Sequence, residues 1–192
     1  MRVILASGSA YRAAQLKRLL DWFEIEPAEV DETPLEGEAP RVLSLRLATA
    51  KAAALGERTG QLVLGSDQVA SHQGQALGKP GSIEAAVAQL MRFSGDQVRF
   101  YTSAVLRDDT GETCAHTDLT TVTFRQFNET QAAAYVQRDQ PLDCAGAFKI
   151  EGSAAWLIES VETNDPSALI GLPLHWLAGE FLSRNIGPAS HN

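Results

Sequence analysis

Val3-Ile4-Leu5-Ala6 is a short, wholly apolar run that stops at Ser7-Gly8-Ser9, the pattern of a buried strand entering a tight turn. Ala13, Leu16, Leu19, Leu20 and Phe23 then recur at helical spacing, which predicts a helix from about Ala10 to Leu20. Working outward, Glu24 to Pro40 is rich in acids and proline and reads as a surface loop around a short strand. Val42 to Leu55, dominated by Ala and Leu, predicts a second helix. Leu62-Val63-Leu64-Gly65 is a second buried strand, expected to stop at Ser66-Asp67-Gln68. His72 to Gly78 reads as a small hairpin, and Ser82 as the N-cap of a helix through Arg92 with Glu84 in its first turn. Val98 to Leu106 alternates, Asp108-Asp109-Thr110-Gly111 turns the chain, and Leu119 to Phe127 alternates again, predicting a long antiparallel hairpin. Asn128 caps a helix to about Gln137, Ala154 to Val161 reads as a core strand, and Pro173 opens a last helix from about Leu174 to Ser183. Strands and helices alternate early and a meander dominates later. That mixture predicts one α/β domain over residues 1–192, with a mixed, twisted sheet flanked by helices and a central cleft between two lobes. The sequence shows no internal repeat and no low-complexity linker.

The 192 residues are 44% apolar and 21% charged, with 16 Lys+Arg against 24 Asp+Glu and a net charge of −8. That suits a folded domain with a continuous core. No stretch approaches the ~20 apolar residues of a membrane helix, and the opening apolar run ends too early for a secretory signal. The expectation is a soluble cytoplasmic protein. The acidic balance disfavours broad nucleic-acid binding, which draws on many Lys/Arg contacts, yet leaves room for a local basic pocket. Cys114 and Cys144 form no CxxC pair and read as buried, reduced thiols. His72, His116, His175 and His191 make no HxH or HExxH pattern, which removes the support for a zinc hydrolase or a Ser-His-Asp enzyme.

Three polar clusters could carry chemistry. Ser7-Gly8-Ser9-Ala10-Tyr11-Arg12 is either an ordinary capped turn or an anion site, with small residues admitting a phosphate and Arg12 adding a bidentate contact. It is no P-loop, because GxxxxGK[ST] is missing from the chain. Asp67, after an apolar strand, either closes an Asx-turn or holds a divalent cation and deprotonates water. Lys79-Pro80 forms the third cluster together with Lys149 and Glu151. Those last two lie between Gly146 and Gly152 in a segment whose alternation would point both the same way. Lys51 is the one cation in a small apolar helix, compatible with a snorkelling surface lysine or with a phosphate ligand. Glu32, in an acidic loop, carries almost no signal alone.

Taken together these residues resemble the Maf family of nucleoside triphosphate pyrophosphatases. Leu5-Ala6-Ser7-Gly8-Ser9 with Arg12, Val30-Asp31-Glu32, Arg46-Leu47-Ala48 with Lys51-Ala52, Gly65-Ser66-Asp67-Gln68, Gly78-Lys79-Pro80, and Leu142 to Gly152 occur in that family's order, and the resemblance runs on to Leu169-Ile170-Gly171-Leu172-Pro173-Leu174. It implies an inosine-triphosphatase-like fold and hydrolysis of the α–β phosphate bond with Mg²⁺ or Mn²⁺. It further implies Asp67 as catalytic base and metal-site residue, Glu32 as a second acid near the metal, and Ser7, Arg12, Lys51 and Lys79 as phosphate contacts. Where many members carry Pro-Arg-Arg, this chain has Ala10-Tyr11-Arg12. Where members acting on dTTP and UTP usually show Asp-Thr and a later Gln, it has Asp67-Gln68 and Glu151. Tyr11, Gln68 and Glu151 thus resemble the subgroup associated with 7-methyl-GTP. A carboxylate at Glu151 can accept guanine's N1–H and N2–H, and a methylated, cationic base favours a nearby acid and an aromatic ring such as Tyr11. The implied partner is a small nucleotide, with neither nucleic acid nor membrane; the oligomeric state stays open, a homodimer among the options. Two alternatives remain: dTTP/UTP specificity within the same family, and a nucleotide-binding regulator of cell division that binds without turnover.

Overall fold

The computed structural model describes residues 1–187, so His191 lies outside the described residues. Among the described residues, seven strands form one mixed sheet: β1 (Arg2–Leu5), β2 (Glu24–Ile25), β3 (Gln61–His72), β4 (Gln75–Leu77), β5 (Gln97–Arg107), β6 (Thr113–Phe124) and β7 (Ile158–Glu162). Their order is β2-β1-β3-β5-β6-β7, with β4 paired to β3. The pairs β1–β2 and β1–β3 are parallel and the others antiparallel. The α-helices of the described residues pack around it: α1 (Ala10–Leu16), α2 (Pro40–Ala54), α3 (Ile83–Phe93), α4 (Glu129–Asp139) and α5 (Leu174–Ser183). Among the described residues no helix is long and apolar enough to cross a membrane.

Local sequence accounts for the helix starts. The hydroxyls of Ser9 and Ser82 accept from the third backbone N–H beyond, and Asn128 makes a reciprocal capping box with Gln131. Pro40 occupies the first turn of α2, where the missing N–H costs nothing.

Among the described residues, the two largest apolar cores lie toward opposite ends of the long strands. One gathers Leu5, Leu16, Leu64, Leu106, Leu177 and Phe181 around β1, α1 and α5. The other gathers Phe93, Val98, Phe100, Phe124, Val136 and Phe148 under α3 and α4. Each fully buried side chain of this size contributes about 1.5–3 kcal/mol. Between the cores the strands turn polar: Ser66, Thr102, Ser103, Asp118 and Thr120 are all buried. Hydrogen bonds settle that band, with Ser66 Oγ donating to Ser103 O at 2.8 Å and Thr102 Oγ1 to Ala168 O at 2.8 Å. The expected two lobes are these two cores, and the cleft opens over the polar band.

Several sequence expectations change. β3 does not stop at Ser66-Asp67-Gln68 but runs on to His72, since β5 pairs with it as far as Ser71. α1 ends at Leu16, where the chain tightens into turns. The 146–152 segment is no strand: Gly146 (φ 70°) and Ala147 (φ 54°) are both left-handed, folding a 3-10 turn. Ala154 to Val161 divides into a 3-10 turn at Ser153–Trp156 and the edge strand β7, exposed after Ile158. Cys114 and Cys144 are free but only half-buried.

Candidate active site

The cleft follows from how β3 is paired. Along one edge β3 bonds β1 over Gln61–Leu64 and β4 over Ala70–His72. Among the described residues Gly65 to Val69 therefore have no strand partner on that edge. β1 ends opposite Leu64, Ala6 N donates to Leu64 O at 2.8 Å, and the Ser7-Gly8-Ser9 turn leaves at that point. Strand-end gaps of this kind in α/β sheets hold ligands. A cavity of about 760 Å³ fills the gap, and all nine residues put forward from the sequence border it: Ser7, Tyr11, Arg12, Glu32, Lys51, Asp67, Gln68, Lys79 and Glu151.

At its floor, Lys51 Nζ lies 2.6 Å from Asp67 Oδ1 and 2.6 Å from Glu32 Oε1. The buried face of α2 runs Pro40, Leu43, Ser44, Leu47, Ala48, Lys51, Ala52. Lys51 thus continues the Leu43–Leu47 stripe one turn on, which excludes the surface alternative. α2 can lie this close because residue 65 is glycine: a Cβ there would sit 2.2 Å from Ala48 O and 2.5 Å from Ala52 N. Asp67, two residues on, faces the same helix. Arg46, one turn before Lys51, grips Glu38 at 2.7 and 2.8 Å and donates to Thr33 O, pinning the loop that carries Glu32.

Burial pushes Asp67 above the usual carboxylate range, against the pull of Lys51 and Arg12. Glu32 goes the other way: desolvation would raise it, but its hydrogen bond to Lys51 and the charges of Lys51, Lys79 and Arg12 hold it low.

Arg12 reaches back from α1, its guanidinium donating to Ser7 Oγ at 3.3 Å and Gly171 O at 3.2 Å. Burial draws it below its ordinary value while Asp67 and Glu32 oppose that change. Gly171 belongs to a turn held by Asp165, which accepts from Ser167 N and His175 N at 2.9 and 2.7 Å. The sequence reading missed Asp165 and Ser167; their signal was the Asn164-Asp165-Pro166-Ser167 turn cluster.

Alternation turns Gln68 to the opposite sheet face from Asp67, where its amide donates to Thr102 Oγ1, Ala168 O and Leu169 O, each at 3.0 Å. The side chain marked out as a specificity residue is therefore chiefly the anchor of the 168–171 turn. Lys79 is exposed at the rim, after β4. Tyr11, 36% exposed, carries Lys149 Nζ 5.8 Å above its ring, a cation–π contact across the cleft. Glu151 lies beyond, exposed on the same wall. Cys144, beside it, is pushed up to about 12 by burial and by Asp143, so its thiol stays protonated.

The profile of the family described as Maf-like protein matches residues 2–183. The chain belongs to the Maf family. Among Maf-family relatives, it is 45% identical over 178 residues to the 7-methyl-GTP pyrophosphatase of Burkholderia thailandensis, covering 90% of this chain and 83% of that protein. To the 7-methyl-GTP pyrophosphatase of Xanthomonas oryzae it is 48% identical, covering 92% and 93%. Among solved structures, the Ham1 protein of Staphylococcus aureus shares the fold at a TM-score of 0.54 and 14% identity, covering 96% of this chain and all of that one.

Proposed function

We propose that this Maf-family protein hydrolyses 7-methyl-GTP to 7-methyl-GMP and pyrophosphate, using a divalent metal. The observation that carries the reading is the shared grip of Lys51 on Asp67 and Glu32 in a cavity that also presents Ser7, Arg12 and Lys79.

Two carboxylates converging on one cation are the donor set a hard divalent ion uses alongside substrate phosphates and water. No group of three or more His, Cys, Asp or Glu is placed to hold a metal among the described residues, so Asp67 and Glu32 would hold it together with the substrate. Such an ion, once bound, supplies charge neutralisation at the phosphoryl oxygens and a more acidic water. Arg12, Ser7 and Lys79 bind the phosphate oxygens and align the α-phosphorus. Lys51 holds the Asp67 carboxylate in place. Water attacks the α-phosphorus as the α–β bridging oxygen leaves with pyrophosphate, and Asp67 takes the water's proton. Its raised affinity for a proton suits a base, while the ionised Glu32 suits a ligand. Glu151 accepts guanine's N1–H and N2–H, and the Tyr11 ring favours the cationic methylated base; a pyrimidine presents carbonyls that Glu151 repels. On this reading the substrate is a free nucleotide of the cytoplasm and nucleic acid is not a partner.

Pyrophosphate release from 7-methyl-GTP, dTTP and UTP at matched concentrations, with and without EDTA, tests this on the wild type and Asp67→Asn. The expected result is preference for 7-methyl-GTP, loss of turnover in EDTA and loss in Asp67→Asn. Turnover in EDTA, or full activity in Asp67→Asn, would leave the mechanism without its centre.

A further inference from the structure

Glu151 lies between two 3-10 turns rather than in a helix or strand, yet α4 ties the wall down on both sides of that residue. Before it, Lys149 N donates to Tyr135 Oη at 2.9 Å, and Lys149 Nζ donates to Asp139 O and Gln140 O at 3.2 Å each. Those last contacts place a cation on the otherwise unsatisfied carbonyls that end α4. After it, the Asp139 carboxylate accepts from Ser153 N at 2.5 Å and from Ser153 Oγ at 2.7 Å. Gly152 completes the fit. Its φ of −98° is open to any residue, but a Cβ there would lie 2.1 Å from Asp139 Oδ2. The glycine is needed so that the backbone can reach the carboxylate.

We propose that Asp139 is a positioning residue for Glu151: by fixing Ser153, two residues after Glu151, against the end of α4, it sets where the Glu151 carboxylate meets the base, and so sets base selectivity. This rests on the proposed reading of Glu151. Tyr135 holds the other flank, so Glu151 sits in a span of five residues tied at both ends. A span held in this way fixes its central side chain more tightly than a loop tied at one end. Displacement by about 1 Å is enough to cost up to a hundredfold at a reacting or binding group.

The test compares kcat and KM for 7-methyl-GTP and UTP across the wild type, E151Q, D139A, D139N, G152A and the double variant D139A/E151Q. In D139A and G152A the 7-methyl-GTP/UTP ratio of kcat/KM should fall roughly tenfold or more, chiefly through a higher KM for 7-methyl-GTP. D139N should keep most of the wild-type ratio, because its amide can accept from Ser153 N and donate to Ser153 Oγ. The double variant should show the ratio of E151Q alone, since Asp139 acts through Glu151. If D139A lowers both substrates in proportion, or lowers the ratio further in the E151Q background, the clamp is structural and the positioning role is wrong while the Glu151 reading stands. If G152A keeps the wild-type ratio, the proposal is likewise overturned. If E151Q itself leaves the ratio unchanged, the base-reading assignment has failed, and the role of Asp139 falls with it.

Discussion

Replacing Gly65 by alanine isolates the contact on which the floor of the site depends. The added Cβ would meet Ala48 O at 2.2 Å, Ala52 N at 2.5 Å and Ala52 Cβ at 2.9 Å. Two of those atoms are helix backbone, so no side-chain rotation relieves them. To reach a separation of about 3.5 Å, α2 must retreat from β3 by more than 1 Å at Ala48. Lys51 lies between Ala48 and Ala52 on that same face, so its 2.6 Å contact with Asp67 on β3 lengthens as the helix retreats. Forced overpacking of this kind costs about 1–3 kcal/mol, and moving a backbone places it near the upper end. For a chain of this size that lowers Tm by roughly 6–12 °C. Turnover should fall by about a hundredfold, the cost of a ~1 Å displacement in a catalytic group. Thermal unfolding with pyrophosphate release measured well below the new Tm separates the two effects. Adding Ala52→Gly relieves only the Cβ contact and should not rescue either. A Gly65→Ala protein with wild-type Tm and turnover, or one fully rescued by Ala52→Gly, would refute the claim that backbone approach sets the Lys51–Asp67 distance.

Lys51→Met leaves Asp67, with its side chain only 10% exposed, buried beside Glu32 without its cation. Urea unfolding should then show a loss of about 3 kcal/mol, as when one partner of a buried pair is removed, and adding Asp67→Asn should restore part of it. The Glu38–Arg46 pair makes an acid-range prediction. Arg46 holds Glu38 down to about 2 from its ordinary 4.5. The unfolded chain therefore takes up that proton first as pH falls. Stability from the pair is fully present above pH 4.5 and is lost as pH drops toward 2. Chemical denaturation of the wild type and Glu38→Gln across this range should give two curves that separate at neutral pH and converge near pH 2. Parallel curves throughout would remove the pair's role in pinning the Glu32 loop.

The elements legible in the sequence were those with a period or a cap. α2, α3, α4 and α5 lie within two or three residues of the spans that Ala/Leu spacing, Ser82, Asn128 and Pro173 mark out. The residues bordering the cavity were legible through their resemblance to a family pattern, while spacing alone left Lys51 open. Even so, Leu43, Leu47 and Lys51 are four residues apart, which already places the lysine on the buried stripe. The end of β3 was set too early because Ser66-Asp67-Gln68 looks like a turn. The strand continues because β5 pairs it as far as Ser71 and β4 pairs His72, and hydrogen bonds satisfy Ser66, Gln68 and His72 Nε2, the last with Asp96 at 2.9 Å. Asp139 and Tyr135 gave no warning, since each acts on backbone groups that only the fold brings near.

The charge count around the floor explains how a chain of net charge −8 can serve a polyanion, and why a metal belongs to the proposal. Ionic attraction between exposed groups fades beyond roughly 8 Å at physiological salt, so acids spread over the surface matter little inside the cavity. The charged groups bordering the cavity are Arg12, Lys51, Lys79 and Lys149 against Glu32, Asp67, Asp143 and Glu151, which leaves no positive surplus. A nucleoside triphosphate brings several negative charges to the same place. Moreover, Lys51 is shared by two carboxylates at 2.6 Å each, so any phosphate it serves must compete with both. Protein cations alone thus leave the triphosphate facing two acids with too little compensation. A divalent cation held by Asp67 and Glu32 would reverse the sign of that floor and would let Lys51 turn to the substrate, so nucleotide and metal affinities should rise together.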